Sequence, residues 1–589
     1  MSFLPRHAHK EFPRLTLLTW NRFFSGCAPK AFVVYGWLCC AAALLALFLG
    51  ALLPSYIDHA LTKGIKDGIL ITPAARDADS QAWRTFISSR DKDATKTYMR
   101  VHMLNLTNPE EVLAGAKPIL NEVGPYVYVK ESTSYNVTFM TDRQTGLNVV
   151  EYRDLTEYEF NRELTPAALS ETDVITTQNT VFQIWRVVAS NILVKDTFAK
   201  LWNDTNTIGD EMNDMNRMFT KRPVSELLFG YHDPRFALPT LSLSADASAA
   251  DVAEANEAVA KLTDAGMNAD AFFPGFMGPR ETEKETLAST TNWMSFFVGD
   301  DVESMAFQYN LYNNATHIQK KGLDGKYGPT WGTLEASRVL GTDGRNFRPF
   351  EAVTEESELP VFVSNAHRSV ILTCSGRTTY KGLDLLEFRL AAKALLNSTA
   401  EPPNAAWNQN GPSGMFDLSP FNIAPMVLTK PHFLDVSPAV AERVDGLAPD
   451  RDVHDTVLMV EPISGSVMKA TKSLQMAVNT IGPLKVEGLK DKPTWFAAMP
   501  TEVYVPSVWM QEAGEIGDSQ ASDFADAVYG ARKIRSAALP AGLAIGTIAA
   551  LAASAFFTAA YSRATKLAAG SVAIPASINS DNNNDYSAF

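Results

Sequence analysis

Hydrophobic and polar positions divide this chain into three parts, because two uninterrupted apolar stretches enclose a long mixed segment. Residues 31–53 and 537–560 contain no Asp, Glu, Lys or Arg. A helix rises about 1.5 Å per residue, so each stretch is long enough to cross a hydrocarbon core of about 30 Å. The pattern predicts two transmembrane helices, with both ends of the chain on one side of the membrane and residues 54–536 on the other.

Strand signals dominate the enclosed segment. Runs of β-branched and aromatic residues are separated by turn sequences, and they occur at residues 126–129, 369–373, 456–460 and 502–509. Many strands that lie far apart in the sequence predict a large, mostly antiparallel barrel or sandwich. The first and last of these runs are apolar at successive positions, so both faces need a dry neighbour. A lipid-filled cavity, packed helices or a second layer would each supply it.

One region follows a helical pattern instead. Apolar side chains recur at roughly helical spacing in residues 171–201, and methionines and leucines continue the pattern to residue 229. This predicts a helical cluster inserted in a β protein, and the packing of apolar faces on one another accounts for most of these residues. Residues 251–265 predict an alanine-rich surface helix. The last residues of the chain have the composition of a disordered tail.

Basic residues give the orientation. The N-terminal tail, residues 1–30, balances several basic residues against one acid, Glu11, and the C-terminal tail, residues 561–589, contains Arg563 and Lys566. Short segments rich in Lys and Arg stay cytosolic, which predicts that both tails are cytosolic and the ectodomain is lumenal or extracellular. Three basic residues just before the second stretch weaken this prediction slightly: Arg532, Lys533 and Arg535.

Glycosylation sequons agree with this orientation. Five Asn-x-Ser/Thr triplets all lie between the two stretches, at Asn105, Asn136, Asn203, Asn314 and Asn397. Because the enclosed segment is most of the chain, their distribution is modest support for a lumenal or extracellular ectodomain.

Charge and cysteine content narrow the function further. The formal net charge is −14 although the tails are basic, so the ectodomain is acidic, which argues against nucleic acid or anionic phospholipid head groups as its main partner. Cys374 is the one cysteine of residues 54–536, so we expect no intrachain disulfide there and a buried apolar role for its side chain. Cys27 lies close to the first apolar stretch, where it could carry a palmitoyl chain. Cys39 and Cys40 fall within that stretch as apolar filling.

The sequence contains no recognisable catalytic motif. It has no G-x-S-x-G, H-E-x-x-H, C-x-x-C or glycine-rich phosphate loop. Scattered histidines such as His432 and His454 are expected to be structural and not metal ligands. We therefore predict a protein that is not an enzyme, with no catalytic residue, cofactor or metal.

Ordered segments of the ectodomain resemble the class B scavenger receptor family. Residues 108–128, NPEEVLAGAKPILNEVGPYVY, are similar to a characteristic family segment. Further matching segments follow in family order at residues 225–234, 341–350, 381–382, 431–447, 454–465 and 509–518. The similarity extends through most of the segment between the two spans, so chance is a poor explanation.

This resemblance implies a fold and a function. The fold expected is mostly β with some α: a large irregular antiparallel β-barrel with an internal hydrophobic tunnel and a helical apex at residues 171–229. Ligands of the family bind at the apex, which here offers Trp185, Arg186, Lys195, Lys200 and Trp202. The resemblance implies a glycosylated receptor that binds a lipid, such as a fatty acid, sterol or phospholipid, or a lipoprotein, and passes lipid through the tunnel.

Three departures bear on that expectation. His367 stands where vertebrate relatives have a disulfide-forming cysteine, and residues 203–214 are acidic where lipoprotein-binding relatives carry lysines. Like charges would repel an anionic lipoprotein at that surface. The insertion at residues 237–278 is longer than the family norm and could cover part of the apex.

Two alternatives stay open. One is a lysosomal sorting receptor that holds a soluble hydrolase at its apex, and a more remote one is an accessory subunit of a lipid flippase. The chain ends Asp-Tyr-Ser-Ala-Phe, in which Tyr586 and Phe589 form a Tyr-x-x-Phe sorting signal for a clathrin adaptor. We therefore expect an endosomal, lysosomal or plasma membrane location, and homo-oligomers are possible.

Overall fold

The computed structural model describes residues 29–183, 218–233, 272–278, 292–298, 305–321, 326–350, 352–409, 411–418, 425–480 and 503–570, together with helical positions 253, 256 and 263. These residues belong to two compact units. One unit consists of residues 1–63 with 524–589, and the other of residues 64–523. The first corresponds to the predicted spans and tails, and the second to the predicted ectodomain.

The described helices are α1 (Pro29–Ile69), α2 (Pro73–Asp77), α3 (Gln81–Ile87), α4 (Pro109–Leu113), α5 (Val224–Phe229), α6 (Pro438–Ala441), α7 (Arg451–His454), α8 (Asp518–Phe524) and α9 (Gly530–Gly570). A π-helical turn, Ala525–Tyr529, precedes α9. Four 3₁₀ turns lie at Ser364–Ala366, Ala392–Leu395, Pro402–Ala406 and Pro431–Phe433.

The described strands are β1 (Thr97–Leu106), β2 (Leu120–Thr141), β3 (Asn148–Phe160), β4 (Val174–Gln178), β5 (Phe219–Pro223), β6 (Tyr231–His232), β7 (Phe272–Phe273), β8 (Trp293–Phe297), β9 (Tyr309–Tyr312), β10 (Gln319–Lys321), β11 (Tyr327–Pro329), β12 (Glu358–Val363), β13 (Arg368–Tyr380), β14 (Leu383–Leu390), β15 (Met415–Asp417), β16 (Met426–Thr429), β17 (Val457–Val460), β18 (Val467–Asn479) and β19 (Tyr504–Glu515).

The two long helices pack as an antiparallel pair. Both are long and apolar enough to cross a membrane, and they contain the two apolar stretches found in the sequence. A Cβ atom on Gly50 would lie 2.9 Å from the Cα atom of Gly542, so the backbones approach as closely as small residues allow. Asp58 forms a 2.6 Å ion pair with Arg535, which precedes Gly542 in the chain. The paired positions therefore run in opposite directions along the two helices.

One large antiparallel sheet organises the ectodomain. Its strand order is β12-β13-β14-β17-β18-β19-β1-β2-β3-β8-β9, and β15 joins it through β16, which pairs with β18. The long central strands β18, β19, β1, β2 and β3 bring the two ends of the chain segment together, because β19 pairs with β1. This agrees with the mostly β architecture with helices expected from the sequence.

The sequence predicts a closed barrel, and the described strands do not close by direct pairing. The end strands β9 and β12 meet instead through a short segment between them: the N–H of Tyr309 donates to the carbonyl of Gly341, and the N–H of Phe362 to that of Thr342. Gly341 has φ +82°, and a Cβ atom there would lie 1.9 Å from the carbonyl oxygen of Pro360. We call this contact of β9 and β12 through residues 341–342 the seam. It requires glycine at position 341, because any side chain there would prevent the close approach of the two backbones.

Both faces of the central strands are covered by packed side chains. On β19, Val505 and Trp509 belong to one apolar cluster that includes Phe433 and Val440. Val508, on the other face of the strand, belongs to a second cluster that includes Tyr126, Tyr128 and residues of α5. Packed protein on each face therefore accounts for the successive apolar positions in β2 and β19, which the sequence alone left open.

The ends of the predicted helical cluster are partly extended. Val174–Gln178 and Phe219–Pro223 pair as strands β4 and β5, whereas Val224–Phe229 and the described residues 180–183 are helical. The helical prediction was wrong for residues 174–178, where β-branched residues favour a strand. Residues 184–217, which contain the predicted ligand-binding side chains of the apex, lie outside the described residues.

Candidate functional site

Six charged side chains meet on one face of the large sheet, and we call them the charged belt. Four come from separate strands, Lys130 on β2, Asp154 on β3, Lys472 on β18 and Glu512 on β19. The other two, Asp343 and Arg345, come from the segment that follows the seam between β9 and β12. Because this segment reaches Asp154 and Lys472, the sheet curls around the face that carries the belt.

Glu512 joins the lysines of the belt. Its carboxylate lies 2.7 Å from Nζ of Lys130 and 3.8 Å from Nζ of Lys472. Lys472 and Glu512 are directly opposite each other in the β18–β19 register. Cross-strand pairs of opposite charge stabilise a sheet, so this arrangement ties together strands that are distant in the sequence.

A tight turn at residues 342–345 positions Asp343 and Arg345, the two belt residues that do not lie on strands. The N–H of Gly344 donates to the side-chain oxygen of Thr342, and the N–H of Arg345 donates to Oδ1 of Asp343 at 2.9 Å. Gly344 has φ +77°, which favours glycine and reverses the chain after Asp343. The guanidinium of Arg345 then lies 3.6 Å from Oδ2 of Asp154 and 3.4 Å from Oδ2 of Asp343.

Burial is the largest single influence on the pKa of four belt residues. It opposes ionisation, but opposite charges outweigh it at three of them: the pKa of Lys130 and that of Arg345 are raised, and the pKa of Glu512 lies well below its usual range. Asp154 is the exception, since burial raises its pKa despite Arg345. Its Oδ1 atom is buried and accepts no hydrogen bond within the described part of the chain.

The belt residues are partly surrounded by protein, but two of their side chains remain partly exposed. The side chain of Arg345 is 51 % exposed and that of Glu512 is 27 % exposed, although surrounding protein opposes the ionisation of both groups.

Aromatic residues flank the belt. Tyr158 lies beside Lys130 and Glu512, while Tyr152 and Tyr309 lie near Asp343 and Arg345, and burial raises the pKa of all three phenols. Tyr152 packs with Phe296 at a ring distance of 6.0 Å, and Phe296 with Tyr309 at 4.1 Å. A charged belt between apolar surfaces can hold an amphiphile by its head and its chain together.

The opposite face of β19 carries a second polar cluster that sequence reasoning missed. His432 and His454, predicted as isolated histidines, stack with ring centroids 4.4 Å apart. Glu122 lies 2.7 Å from Nε2 of His432 and 2.5 Å from Nδ1 of His102. Trp509 stacks on His102 at 3.8 Å. Each histidine is therefore part of a packed polar network, which supports the predicted structural role.

Metal ligation has no support among the described residues, where no group of three or more His, Cys, Asp or Glu side chains could hold an ion. His432 and His454 also have their Nδ1 atoms engaged, because each accepts a backbone N–H, from Ala448 and Asp450 respectively. The histidine cluster therefore tethers the segment around α7 to the sheet.

The predicted glycosylation sites differ in accessibility. Asn136 and Asn314 are both exposed and have positive φ, Asn136 at an irregularity of β2 and Asn314 in a turn. Asn105 is half-buried in β1, and its side-chain oxygen accepts the N–H of Thr176. The side-chain nitrogen of Asn397 donates to the carbonyl of Gly411 at 3.1 Å. The structure therefore favours Asn136 and Asn314 as acceptors of a glycan.

Other predicted site residues have simpler outcomes. Cys374 is partly buried and packs against the apolar cluster of β12–β14 and β17. Seven predicted residues lie outside the described residues, five of the apex and two of the sorting signal: Trp185, Arg186, Lys195, Lys200, Trp202, Tyr586 and Phe589. Asn203 and Cys27 lie outside them too.

Comparison with known proteins gives a consistent result. The model of the CD36 family matches residues 41–557. The chain is 24 % identical to scavenger receptor class B member 1 of Rattus norvegicus, over 83 % of this chain and 82 % of the relative. It is 23 % identical to sensory neuron membrane protein 1 of Anopheles gambiae, over 91 % of this chain and 90 % of the relative. It is 26 % identical to lysosome membrane protein 2 of Homo sapiens, over 66 % of this chain and 70 % of the relative.

Proposed function

Because this chain belongs to the CD36 family, we propose that it is a membrane receptor that takes up lipid on the belt-bearing face of its large sheet and passes it through a tunnel toward the membrane. The predicted scavenger-receptor resemblance and the family match cover nearly the same residues. This supports a receptor for lipids or lipid-bearing particles.

The observation that carries the proposal is the environment of the charged belt. Arg345 forms ion pairs with Asp343 and Asp154, and about half of its side chain is still exposed. Tyr152 and Phe296 lie nearby in a packed apolar cluster. A partly exposed charged group beside an apolar cluster suits a molecule that has a polar head and an apolar chain.

The energetic benefit to a lipid is large. Each CH₂ group that leaves water gains about 0.8 kcal/mol. A chain of ten such groups would thus lose roughly 8 kcal/mol if it had to cross water unprotected. An apolar path through the ectodomain removes that barrier, which gives the curled sheet a physical role in lipid transfer.

The proposed topology has both tails in the cytosol and the ectodomain in the lumen or outside the cell. The antiparallel packing of α1 and α9 supports a hairpin, because antiparallel spans return the chain to its starting side. The basic N-terminal tail supports the cytosolic side. A plasma membrane or endolysosomal location follows, with the C-terminal Tyr586 signal as the address read by a clathrin adaptor.

The alternative function, a sorting receptor for a soluble hydrolase, would use the apex. A sorting receptor would hold a soluble hydrolase at residues 171–229, and a lipoprotein receptor would use the same surface, with Trp185, Arg186, Lys195, Lys200 and Trp202 as contacts. Lysosome membrane protein 2 among the relatives supports an endolysosomal role, whereas the belt supports lipid uptake. We favour lipid uptake because described residues carry it.

The experiment is an analysis of lipid that stays with the purified full chain. After exchange into amphipols, native mass spectrometry should detect adducts with the mass of one or two lipids, and extraction should identify them. A chain that is correctly folded, carries no lipid and takes none up from added vesicles would overturn the proposal.

A further inference from the structure

Two basic side chains are buried in the described part of the chain, Lys430 and Arg368, which are 8 % and 7 % exposed. Two carboxylates compensate Lys430, because Asp435 and Asp455 each lie 2.8 Å from its Nζ atom. Arg368 has no ion pair among the described residues, and burial alone acts on its pKa, which it lowers to about 10. A buried charge without an opposite charge is strongly destabilising, so the charge of Arg368 requires compensation from another source.

Aromatic rings surround the Arg368 guanidinium. Its Cζ atom lies 3.9 Å from the ring centre of Trp407 and 5.1 Å from that of Phe416. Nη2 of Arg368 donates to the carbonyl of Ala394 at 3.1 Å. An aromatic face attracts a cation through its quadrupole, but it carries no net charge. These contacts therefore hold the guanidinium in place without neutralising it.

Two hydrogen-bond donors at this contact have no acceptor. The Nε atom of Arg368 and the Nε1 atom of Trp407 are both buried, and neither finds a partner in the part of the chain that the structure describes. Nearly all buried N–H groups in proteins are hydrogen-bonded. Because the two side chains are in direct contact, a single acceptor at their edge can serve both donors. An acceptor with a negative charge would also compensate Arg368.

The protein itself supplies no such acceptor nearby. Asp417 follows Phe416 in β15, but successive side chains of a strand point to opposite faces. The surroundings also limit the size of a ligand, since Trp407 packs on a buried apolar cluster that includes Trp331 and Leu428. A lipid head group or a phosphate would need more open surface. A halide ion is small, carries one negative charge and accepts N–H groups from any direction.

We propose that the N–H groups of Arg368 and Trp407 bind one chloride ion, which neutralises the buried guanidinium. The ion links the start of β13 to the segment that follows the 3₁₀ turn Pro402–Ala406. Because chloride binds the folded chain and has no such site in the unfolded chain, it stabilises the ectodomain. This inference is independent of lipid uptake.

The experiment measures the melting temperature of the full chain in detergent, in sodium chloride, sodium bromide or sodium gluconate at equal ionic strength. Chloride and bromide should raise the melting temperature relative to gluconate, which is too large for the site, and the effect should saturate as the halide concentration increases. In crystals grown from bromide, an anomalous difference peak should lie against Nε of Arg368 and Nε1 of Trp407.

Three variants assign the effect to this site. Arg368→Gln removes the charge that needs an anion, so its melting temperature should be the same in chloride and gluconate. Trp407→Phe keeps an aromatic face against the guanidinium and removes one N–H group, so half of the effect should require about tenfold more chloride. Arg377→Gln changes an arginine of the same strand that is 72 % exposed, and it should behave like the wild type.

General effects of salt on the protein surface are common to all variants, so the comparison between them decides. A wild type that melts at the same temperature in chloride and gluconate overturns the proposal. The same conclusion follows if the chloride effect persists in Arg368→Gln. If that variant does not fold, an unchanged chloride dependence in Trp407→Phe overturns the proposal instead.

Discussion

Lys130 on β2 and Glu512 on β19 form a 2.7 Å ion pair across an intervening strand. Neighbouring strands lie about 4.8 Å apart, so two long side chains must lean over β1 to meet. Glu512 also faces Lys472 on β18. One carboxylate therefore links side chains of β2, β18 and β19, which makes the belt a structural element of the sheet.

The first prediction concerns that carboxylate. Glu512→Gln should destabilise the protein by about 2 kcal/mol, because Lys130 and Lys472 lose their counter-ion. The side chains are partly exposed, so the loss should be smaller than for a fully buried pair. The measurement is thermal unfolding of the full chain in detergent.

The matched control is Glu355→Gln, which breaks an exposed ion pair with Arg377. Exposed pairs contribute about 0–1 kcal/mol, so the melting temperature should barely change. Equal melting temperatures for the two variants would contradict the structural role of Glu512.

The second prediction concerns stability at acid pH. Burial lowers the pKa of His367 to about 4, below the value of about 6.5 in an unfolded chain. Between these values the unfolded state binds more protons, so stability falls as the pH falls below about 6.5 and this loss levels off near 4. Burial and the neighbouring His432 lower the pKa of His454 too, and the effect there has the same sign.

His367→Asn should reduce this loss, because Asn tolerates the φ of +48° at this position and does not titrate. Between pH 7.5 and pH 5 the wild type should lose about 2 kcal/mol through His367, and the variant should lose less in total. Melting temperatures at the two pH values measure this. Identical pH slopes would rule out His367 as a contributor.

The third prediction concerns glycans. Asn136→Gln and Asn314→Gln should each increase mobility on a denaturing gel, because both side chains are exposed. Asn397→Gln should leave mobility unchanged, because the Asn397 amide is hydrogen-bonded to Gly411. Treatment with a glycosidase should remove the differences. A shift for Asn397→Gln alone would contradict this ranking.

The fourth prediction concerns sorting. Tyr586→Ala should raise the amount of protein at the cell surface relative to endosomes and lysosomes, because the adaptor loses its aromatic anchor. Ser587→Ala changes a position that the Tyr-x-x-Phe signal leaves open, and it should have no effect. Surface labelling followed by quantification measures both. Equal distributions for wild type and Tyr586→Ala would remove this sequence as the sorting signal.

Local patterns made part of this structure predictable. Uninterrupted apolar residues gave the two long helices, and β-branched runs gave strands such as β2, β17 and β19. The turn sequences between the strand runs include Thr342-Asp343-Gly344, whose residue types have strong local preferences. What these patterns share is that they depend on residues close together in the chain.

The charged belt was not predictable in the same way. Lys130 and Glu512 lie at opposite ends of the ectodomain sequence, and their pairing depends on the β19–β1–β2 order. The sequence marks the belt only by charged residues that follow apolar runs, such as Lys130 after residues 126–129 and Glu512 after residues 502–509. The seam at Gly341 and the stacking of His432 on His454 depend on long-range contacts too.

The most direct test of the central claim is to locate a bound lipid in the full chain. A lipid that carries a photoreactive diazirine on its chain should label peptides of the belt-bearing strands, residues 126–134, 149–156 and 504–515, once it is added to the folded protein and illuminated. An excess of unlabelled lipid should suppress this labelling. Labelling confined to α1 and α9, with none in those strands, would contradict uptake of lipid by the ectodomain.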